Sequence, residues 1–401
     1  MEKEIVIVSG VRTPFSKFDS PMNDIASIDL GTMVLKEVVA RVGIEPEEVD
    51  EVNYGASVEA EIAREQDVPD RQALLLGGFP PSTISMTINR ACCASITAVR
   101  HCVRAIRVGD AEICIAAGSD NMPRAAHLAE GMRKGTRLGH VTIRDYLVGL
   151  GYRGFSPVAT EAGEVAVEHG IGREMQDAWG LRSQELYAKA LYEGKFKAGE
   201  EILPVIIPQK KGDPVVIERD EAPRKTSMEA LAKLPVVYGS PTVTAGNAPP
   251  MNAGAGALLI MTREKAEQKG LKPLATILSS VAIASEPRQM AAIPGHAIHH
   301  ALESLGMTID QMDLIEINEA FAAVVLVSTK ILSGGDDGKW EEIKAKTNVN
   351  GGAIAMGHPI AASGARIIMT LAYELQRRGG GYGVAAICGG LSQGEAVIIR
   401  V

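Results

Sequence analysis

Four short segments hold residues whose types and positions could carry covalent chemistry: Cys92-Cys93, Asn318, His358 and Cys388. Cys92 or Cys93 stands just ahead of a helical pattern, Ala94 to Val108, with Ile96, Val99, Val103 and Ile106 on one face. Unpaired N–H groups and the helix dipole favour a thiolate at such a place. The competing reading of a cysteine is a small core residue, and it fits Cys102 and Cys114, which fall inside a helix and a strand. Asn318 ends a strand, from which side chains of open α/β sheets point into crevices; it could equally cap the following helix. His358, between Gly357 and Pro359, cannot sit in regular helix, and a rigid loop suits it to proton transfer near neutral pH. Cys388 closes a buried strand just before Gly389-Gly390, where the backbone can approach a ligand closely. A Cys–His pair supports nucleophilic catalysis, and a second cysteine could act as a weak acid or base.

The elements that must position these groups alternate between strand and helix. Ile5 to Val8 reads as a buried strand ending in a Gly-Val-Arg-Thr-Pro loop, and Leu30 to Val42 as a helix. Ser82 to Ile88 is a strand running into Cys92, and Glu112 to Ala117 another. In the last quarter, Asp313 to Ile317 is a strand and Glu319 to Leu332 a helix. Asn350 to His358 is a glycine-rich loop, Ala362 to Arg377 a helix and Val384 to Cys388 a strand. Such alternation predicts an α/β fold with helices on both sheet faces. Ala94-Ser95 and Ala362-Ser363 each open a helix that leads through a glycine turn into a strand, which suggests duplicated halves. Residues 121 to 250 break the rhythm, with a helix from Arg173 to Gly194 and a charged stretch from Lys210 to Lys233. Long inserted loops of this kind usually cover sites.

Composition bounds the rest. The 401 residues carry 46% hydrophobic and 22% charged side chains, only 4% aromatic ones, and 42 glycines. These values exclude disordered, collagen-like and coiled-coil chains. Eleven of those glycines fall in the last 51 residues, around His358 and Cys388. The net charge of -8 gives no basic footprint for nucleic acid, and no apolar run approaches a membrane span. The start, Met1-Glu2-Lys3-Glu4 before four apolar residues, is too short and too acidic for a signal peptide. Five cysteines without CxxC spacing fit a reducing cytosol better than disulfides or structural zinc. His296 and His300, spaced i,i+4, lack further ligands nearby and read as a solvated helix face.

Taken together, Asn89-Arg-Ala-Cys92, Asn318-Glu-Ala-Phe-Ala322, Gly351-Gly-Ala-Ile-Ala-Met-Gly-His-Pro359, Ala362-Ser-Gly-Ala-Arg366 and Cys388-Gly-Gly390 resemble the signature blocks of thiolases. Val11-Arg-Thr-Pro14 and Val243-Thr-Ala-Gly-Asn247 extend the resemblance over essentially the whole chain. It implies a five-layered αβαβα sandwich of two duplicated halves with an inserted loop domain. The divisions would be residues 1–120 plus 250–273, then 121–249 covering coenzyme A (CoA), then 274–401. It further implies an acyltransferase that condenses or cleaves CoA thioesters through an acyl-Cys92 intermediate, acyl-CoA plus acetyl-CoA exchanging with 3-oxoacyl-CoA plus CoA. In that scheme His358 deprotonates Cys92, and Cys388 moves the proton of the acetyl α-carbon. Asn318 (through a water) and His358 hold the enolate oxygen, while the N–H groups of Cys92 and Gly390 face the tetrahedral intermediate. Arg224, Ala245, Gly246, Pro249 and Phe321 fall at substrate- or CoA-contacting positions. No metal or tightly bound cofactor is implied, and a cytoplasmic homodimer or dimer of dimers is.

Departures cluster where the family touches its substrate. Pro157-Val158-Ala159 replaces a His-Met-Gly run, and Pro249 replaces a serine whose hydroxyl helps bind the CoA arm. Ile360-Ala361-Ala362 stands for Ile-Gly-Ala, and Ser392 for a third glycine. These changes point to a reshaped acyl pocket. Two other readings compete: a decarboxylating ketoacyl synthase, against which Cys388 argues, and a non-catalytic thiolase-like subunit of a complex.

Overall fold

The structure, a computed structural model, describes residues 3–148 and 151–401; Met1 and Glu2 of the acidic N-terminal start lie outside them. In chain order the framework is β1 (Ile5–Arg12), α1 (Ser27–Ala40), β2 (Glu51–Gly55), β3 (Ile84–Ile88), α2 (Ala94–Val108) and β4 (Ile113–Asn121). Then come α3 (Val158–Glu168) and α4 (Arg173–Tyr192), β5 (Ala253–Thr262) and β6 (Ala275–Ala284). The chain closes with α5 (Ile293–Glu303), β7 (Leu314–Ile317), α6 (Ala322–Leu332), α7 (Ser363–Arg377), β8 (Tyr382–Gly389) and β9 (Gln393–Arg400).

Among the described residues these strands form one nine-stranded sheet, ordered β7-β8-β9-β6-β1-β5-β4-β2-β3. Its midpoint is the antiparallel pair β1 and β6, joined over Ile5–Ile7 and Ala275–Ile277. The order reads alike in both directions from there. Each wing runs through two antiparallel pairings (β1/β5/β4 and β6/β9/β8) into a parallel one (β4/β2 and β8/β7). Where the first wing adds β3, the second has a single parallel bridge between Ile315 and Thr347. The duplication inferred from the sequence is therefore present in the connectivity.

Three apolar clusters make the layers. The helix α1 buries Val34, Leu35 and Val38 against Val6, Ile115 and Leu259 on one outer face. On the other, α5 and α6 bury Ile298, Val324 and Val327 against Ile315, Val384 and Ile398. Between the wings, α2 and α7 pack together, with Ile96 and Val99 meeting Ile367, Ile368, Ile387 and Val397. The result is α–β–α–β–α. The central helices approach closely because their contact residues are small. A Cβ at Gly364 would collide with the backbone nitrogen of Ile96, and Ala365 N–H donates to Ser95 Oγ at 2.9 Å. This explains how a core with few aromatics stays dense.

Several boundaries differ from the sequence reading, each for a tertiary reason. The strand β1 continues through Gly10-Val11-Arg12 rather than ending at Val8. Arg12 is buried there because Asp220 receives its guanidinium at 2.6 and 2.9 Å and Glu201 pairs with its Nε. The helix α1 begins at Ser27, three residues early, because the carboxylate of Glu61 accepts the Ser27 N–H. The helix α6 starts at Ala322 rather than Glu319, since Glu319 is buried and accepts hydrogen bonds from Trp179, Ser183, Asn348 and the Ile354 N–H. The glycine-rich loop before His358 contains one helical turn, Ala353–Met356. Between β4 and β5 the chain leaves the sheet for α3, α4 and two small ribbons, Leu128–Ala129 with Ile143–Arg144 and Val205–Ile207 with Val215–Ile217.

Candidate active site

Cys92 sits in the tight passage from β3 into α2. Ala91 before it adopts a left-handed backbone, φ 49°, a strained conformation for a residue with a Cβ. The Ser57 hydroxyl holds that turn by donating to the Ala91 carbonyl at 3.0 Å. The two adjacent cysteines are thereby separated. Cys92 is partly accessible, whereas Cys93 is buried with its Sγ 3.6 Å from the Ile387 carbonyl.

The partner of Cys92 comes from the other half of the molecule. His358 Nε2 lies 3.0 Å from Cys92 Sγ, and its Nδ1 is 2.6 Å from Ser363 Oγ. The Ser363 hydroxyl donates its single hydrogen to the Pro359 carbonyl at 2.8 Å. It can only accept from the imidazole, so Nδ1 carries the proton and Nε2 presents a lone pair to the Cys92 thiol. The His358 backbone is fixed as well, its N–H donating to Asn252 Oδ1 at 2.8 Å. Burial, aided by the Arg366 charge, lowers the His358 pKa to about 3, and burial raises that of Cys92 well above its ordinary value. In the resting site both partners are neutral.

Asn318 is buried at the end of β7 and does not cap the next helix, whose cap position is Phe321. Arg366, itself fully buried, donates to Asn318 Oδ1 at 3.0 Å, which turns the amide Nδ2 toward the His358 ring at 3.4–3.5 Å. Cys388 lies buried near the end of β8, and burial pushes its thiol up to about 12. Leu391 and Ser392, which follow Gly389-Gly390, both have left-handed backbones, φ 54° and 58°. That conformation explains why glycine suits position 392. The Ser392 hydroxyl here contacts Ser285 Oγ at 2.9 Å.

Cys92, His358, Cys388 and Gly390 open into one cleft. Its walls are apolar, with Met122, Leu147, Tyr152, Val158, Met290 and Ile360 among them. Of the residues expected to touch substrate, Pro249 and Phe321 line this cleft. Arg224 and Ala245 meet each other instead, Arg224 Nη2 donating to the Ala245 carbonyl at 2.7 Å, and both are exposed. Gly246 is buried against Leu231 and Leu234. His296 and His300 lie exposed on α5. No group of three metal-ligating side chains is assembled among the described residues.

Sequence reasoning gave no role to four residues that build this site: Ser363 and Arg366, which it met only within a motif block, and Asn252 and Asp120. Asp120 accepts the N–H groups of Ser57 at 2.9 Å and Val58 at 3.0 Å through one oxygen, and that of Ala361 at 2.6 Å through the other. Ser57 holds the Cys92 turn and Ala361 follows His358, so one carboxylate ties both loops. Burial raises its pKa to about 7 against the pull of those donors. A carboxylate near the end of β4, one strand removed from β3, was the available signal.

The family model for the N-terminal thiolase domain matches residues 5–264, and that for the C-terminal domain matches residues 271–401. The chain belongs to the thiolase family. This thiolase is 40% identical to an acetyl-CoA acetyltransferase of Syntrophomonas wolfei subsp. wolfei over the whole of both chains. It is also 40% identical to one of Cupriavidus necator, over 99% of each. Among solved structures, a Bacillus anthracis acetyl-CoA acetyltransferase superposes with a TM-score of 0.92 at 35% identity, covering 100% of this chain and 99% of that one. The human mitochondrial 3-ketoacyl-CoA thiolase in complex with CoA gives 0.91 at 34%, covering 99% and 98%. Three of this thiolase's departures, Val158, Ala159 and Pro249, lie in the cleft wall itself.

Proposed function

We propose that this thiolase interconverts acyl-CoA plus acetyl-CoA with 3-oxoacyl-CoA plus CoA through an acyl group on Cys92. The observation that carries the reading is the 3.0 Å contact between Cys92 Sγ and an imidazole nitrogen whose lone pair Ser363 has fixed toward it. In the cleavage direction Cys92 passes its proton to His358 Nε2 and attacks the 3-oxo carbon. The C2–C3 bond breaks, its electron pair forming the enolate of acetyl-CoA, and the Cys388 thiol protonates C2. Incoming CoA gives its thiol proton to the Cys388 thiolate and attacks acyl-Cys92. The Cys92 sulfur leaves and regains its proton from His358. Condensation is the reverse path. Asn318, through a water, and His358 hold the enolate oxygen, and the Cys92 and Gly390 N–H groups hold the acyl oxyanion, in an apolar cleft that strengthens both sets of hydrogen bonds.

The same reading places Arg224, Ala245 and Gly246 along the outer CoA path and makes 121–249 the unit that covers it. CoA enters as substrate, with no tightly bound cofactor and no metal in the steps. The β3 strand is a sheet edge with Ile84 and Met86 exposed, and such an edge invites pairing with a second copy, in keeping with a homodimer or a dimer of dimers. No helix among the described residues is long and apolar enough to cross a membrane, and a cytoplasmic enzyme fits the free cysteines. The decarboxylating synthase gives way to the thiolase reading because a second buried thiol shares the cleft, and the non-catalytic subunit because the Cys–His pair is assembled. Acetoacetyl-CoA plus CoA, and separately labelled acetyl-CoA, test the proposal. Turnover and an acyl adduct on Cys92 by mass spectrometry are expected; neither turnover nor adduct would end it.

A further inference from the structure

One polar group in the cleft takes no part in these steps. Tyr152, in the segment before α3, directs its hydroxyl at Gly390, and a Cβ on Gly390 would collide with that oxygen. Glycine at 390 thus leaves room for a phenol beside the backbone N–H that faces the acyl oxygen. Ala91, the residue before the nucleophile, borders the same spot. Among the described residues the Tyr152 hydroxyl has no hydrogen-bond partner, and its side chain lines the apolar cleft while remaining 37% exposed. Burial and the nearby Cys92 and Cys388 sulfurs raise its pKa, so the phenol stays protonated and acts as a donor. A bound thioester that displaces water from this wall leaves the hydroxyl short of an acceptor unless it supplies one itself. The bound molecule must offer an acceptor at Gly390, and the acyl oxygen is the one that the chemistry brings there.

We infer that the Tyr152 hydroxyl is a catalytic donor that, together with the Gly390 N–H, binds the acyl oxygen as Cys92 attacks. The assignment rests on the acyl-Cys92 reading and extends it. The phenol neither gains nor loses its proton, and no bond forms or breaks at it. Its contribution grows as negative charge develops on that oxygen, which makes it a transition-state rather than a ground-state contact.

The test is Tyr152→Phe, which keeps the ring and removes only the oxygen. Single-turnover acetylation of Cys92 by labelled acetyl-CoA, read by mass spectrometry, should slow on the order of 10- to 100-fold. KM for acetyl-CoA should change little. Alkylation of Cys92 by iodoacetamide, which develops no acyl oxyanion, should proceed as in the wild type and reports that the Cys92–His358 pair is intact. Equal acetylation rates in the two proteins would overturn the assignment, and so would equal losses of acetylation and alkylation, which place the effect on Cys92 itself. Wild-type protein that takes up no acetyl group would instead overturn the acyl-Cys92 reading on which it rests.

Discussion

The hydroxyl of Ser363 stands 2.6 Å from His358 Nδ1 while its own hydrogen goes to the Pro359 carbonyl. The residue sits in the first turn of α7, so the helix that positions the loop also sets the tautomer of its histidine. Ser363→Ala removes the acceptor and lets the imidazole carry its proton on either nitrogen. Acylation of Cys92 should fall on the order of 10²-fold, with KM for the thioester nearly unchanged. A variant that acylates at the wild-type rate would show that the tautomer is held by something else.

Because His358 is held neutral down to about pH 3 and the Cys92 thiol is pushed up, no ion pair preexists. Iodoacetamide alkylation of Cys92 should rise with pH without an inflection between pH 5 and 7. An inflection there would reveal a preformed thiolate–imidazolium pair. The same lowering has a stability consequence. His358 binds a proton near pH 6.5 when unfolded but only near 3 when folded, so between those values the unfolded state holds more protons. This part of the stability is present above pH 6.5 and is lost as pH falls toward 3. His358→Asn should flatten the acid side of a Tm-against-pH curve.

The two thiols should separate the half-reactions. Cys92→Ser should abolish acylation, and an adduct persisting there would move the nucleophile to Cys93. Cys388→Ser should still accept an acetyl group from acetyl-CoA, yet lose condensation by about 10²-fold or more. Its exchange of acetyl α-protons with deuterated solvent, read by NMR, should disappear in parallel.

Asp120 spans the Cys92 and His358 loops through Ser57, Val58 and Ala361. Asp120→Asn puts an NH2 group against an N–H at one end of that clamp. It should cost about 1–3 kcal/mol of stability, as for a buried donor without an acceptor, with a lower Tm and slower acylation. An unchanged Tm would show that the loops are held without it.

Pro249→Ser restores a hydroxyl to the cleft wall. One added hydrogen bond of about 0.5–1.5 kcal/mol should lower KM for CoA esters several-fold and leave kcat alone. A change in kcat with a constant KM would place Pro249 nearer the chemistry than the CoA arm.

Much of this site was legible along the chain because its pieces are local. Cys92 ahead of α2, His358 in its glycine-rich loop and Cys388 before two glycines are each set by neighbours within a few residues. What escaped depends on distant partners. Arg12 lies in a strand because Asp220 and Glu201 reach it from the insertion, and Glu319 stays out of α6 because Trp179 and Ser183 claim its carboxylate. Ser363, Asn252 and Asp120 are ordinary polar residues until the fold brings the two loops face to face. Of the five residues expected to touch substrate, Pro249 and Phe321 border the cleft around Cys92, while Arg224, Ala245 and Gly246 are not in its lining.

Cys92 and His358 stand ahead of α2 and α7, the equivalent central helices of the two wings. With Ala94-Ser95 set against Ala362-Ser363, the counterpart of Cys92 is Ile360 and that of His358 is Arg90. Two identical halves carrying both groups would therefore assemble two thiol–imidazole pairs across the seam. Covalent fusion lets each copy change alone. This chain keeps a thiol from one half and an imidazole from the other, and so a single pair.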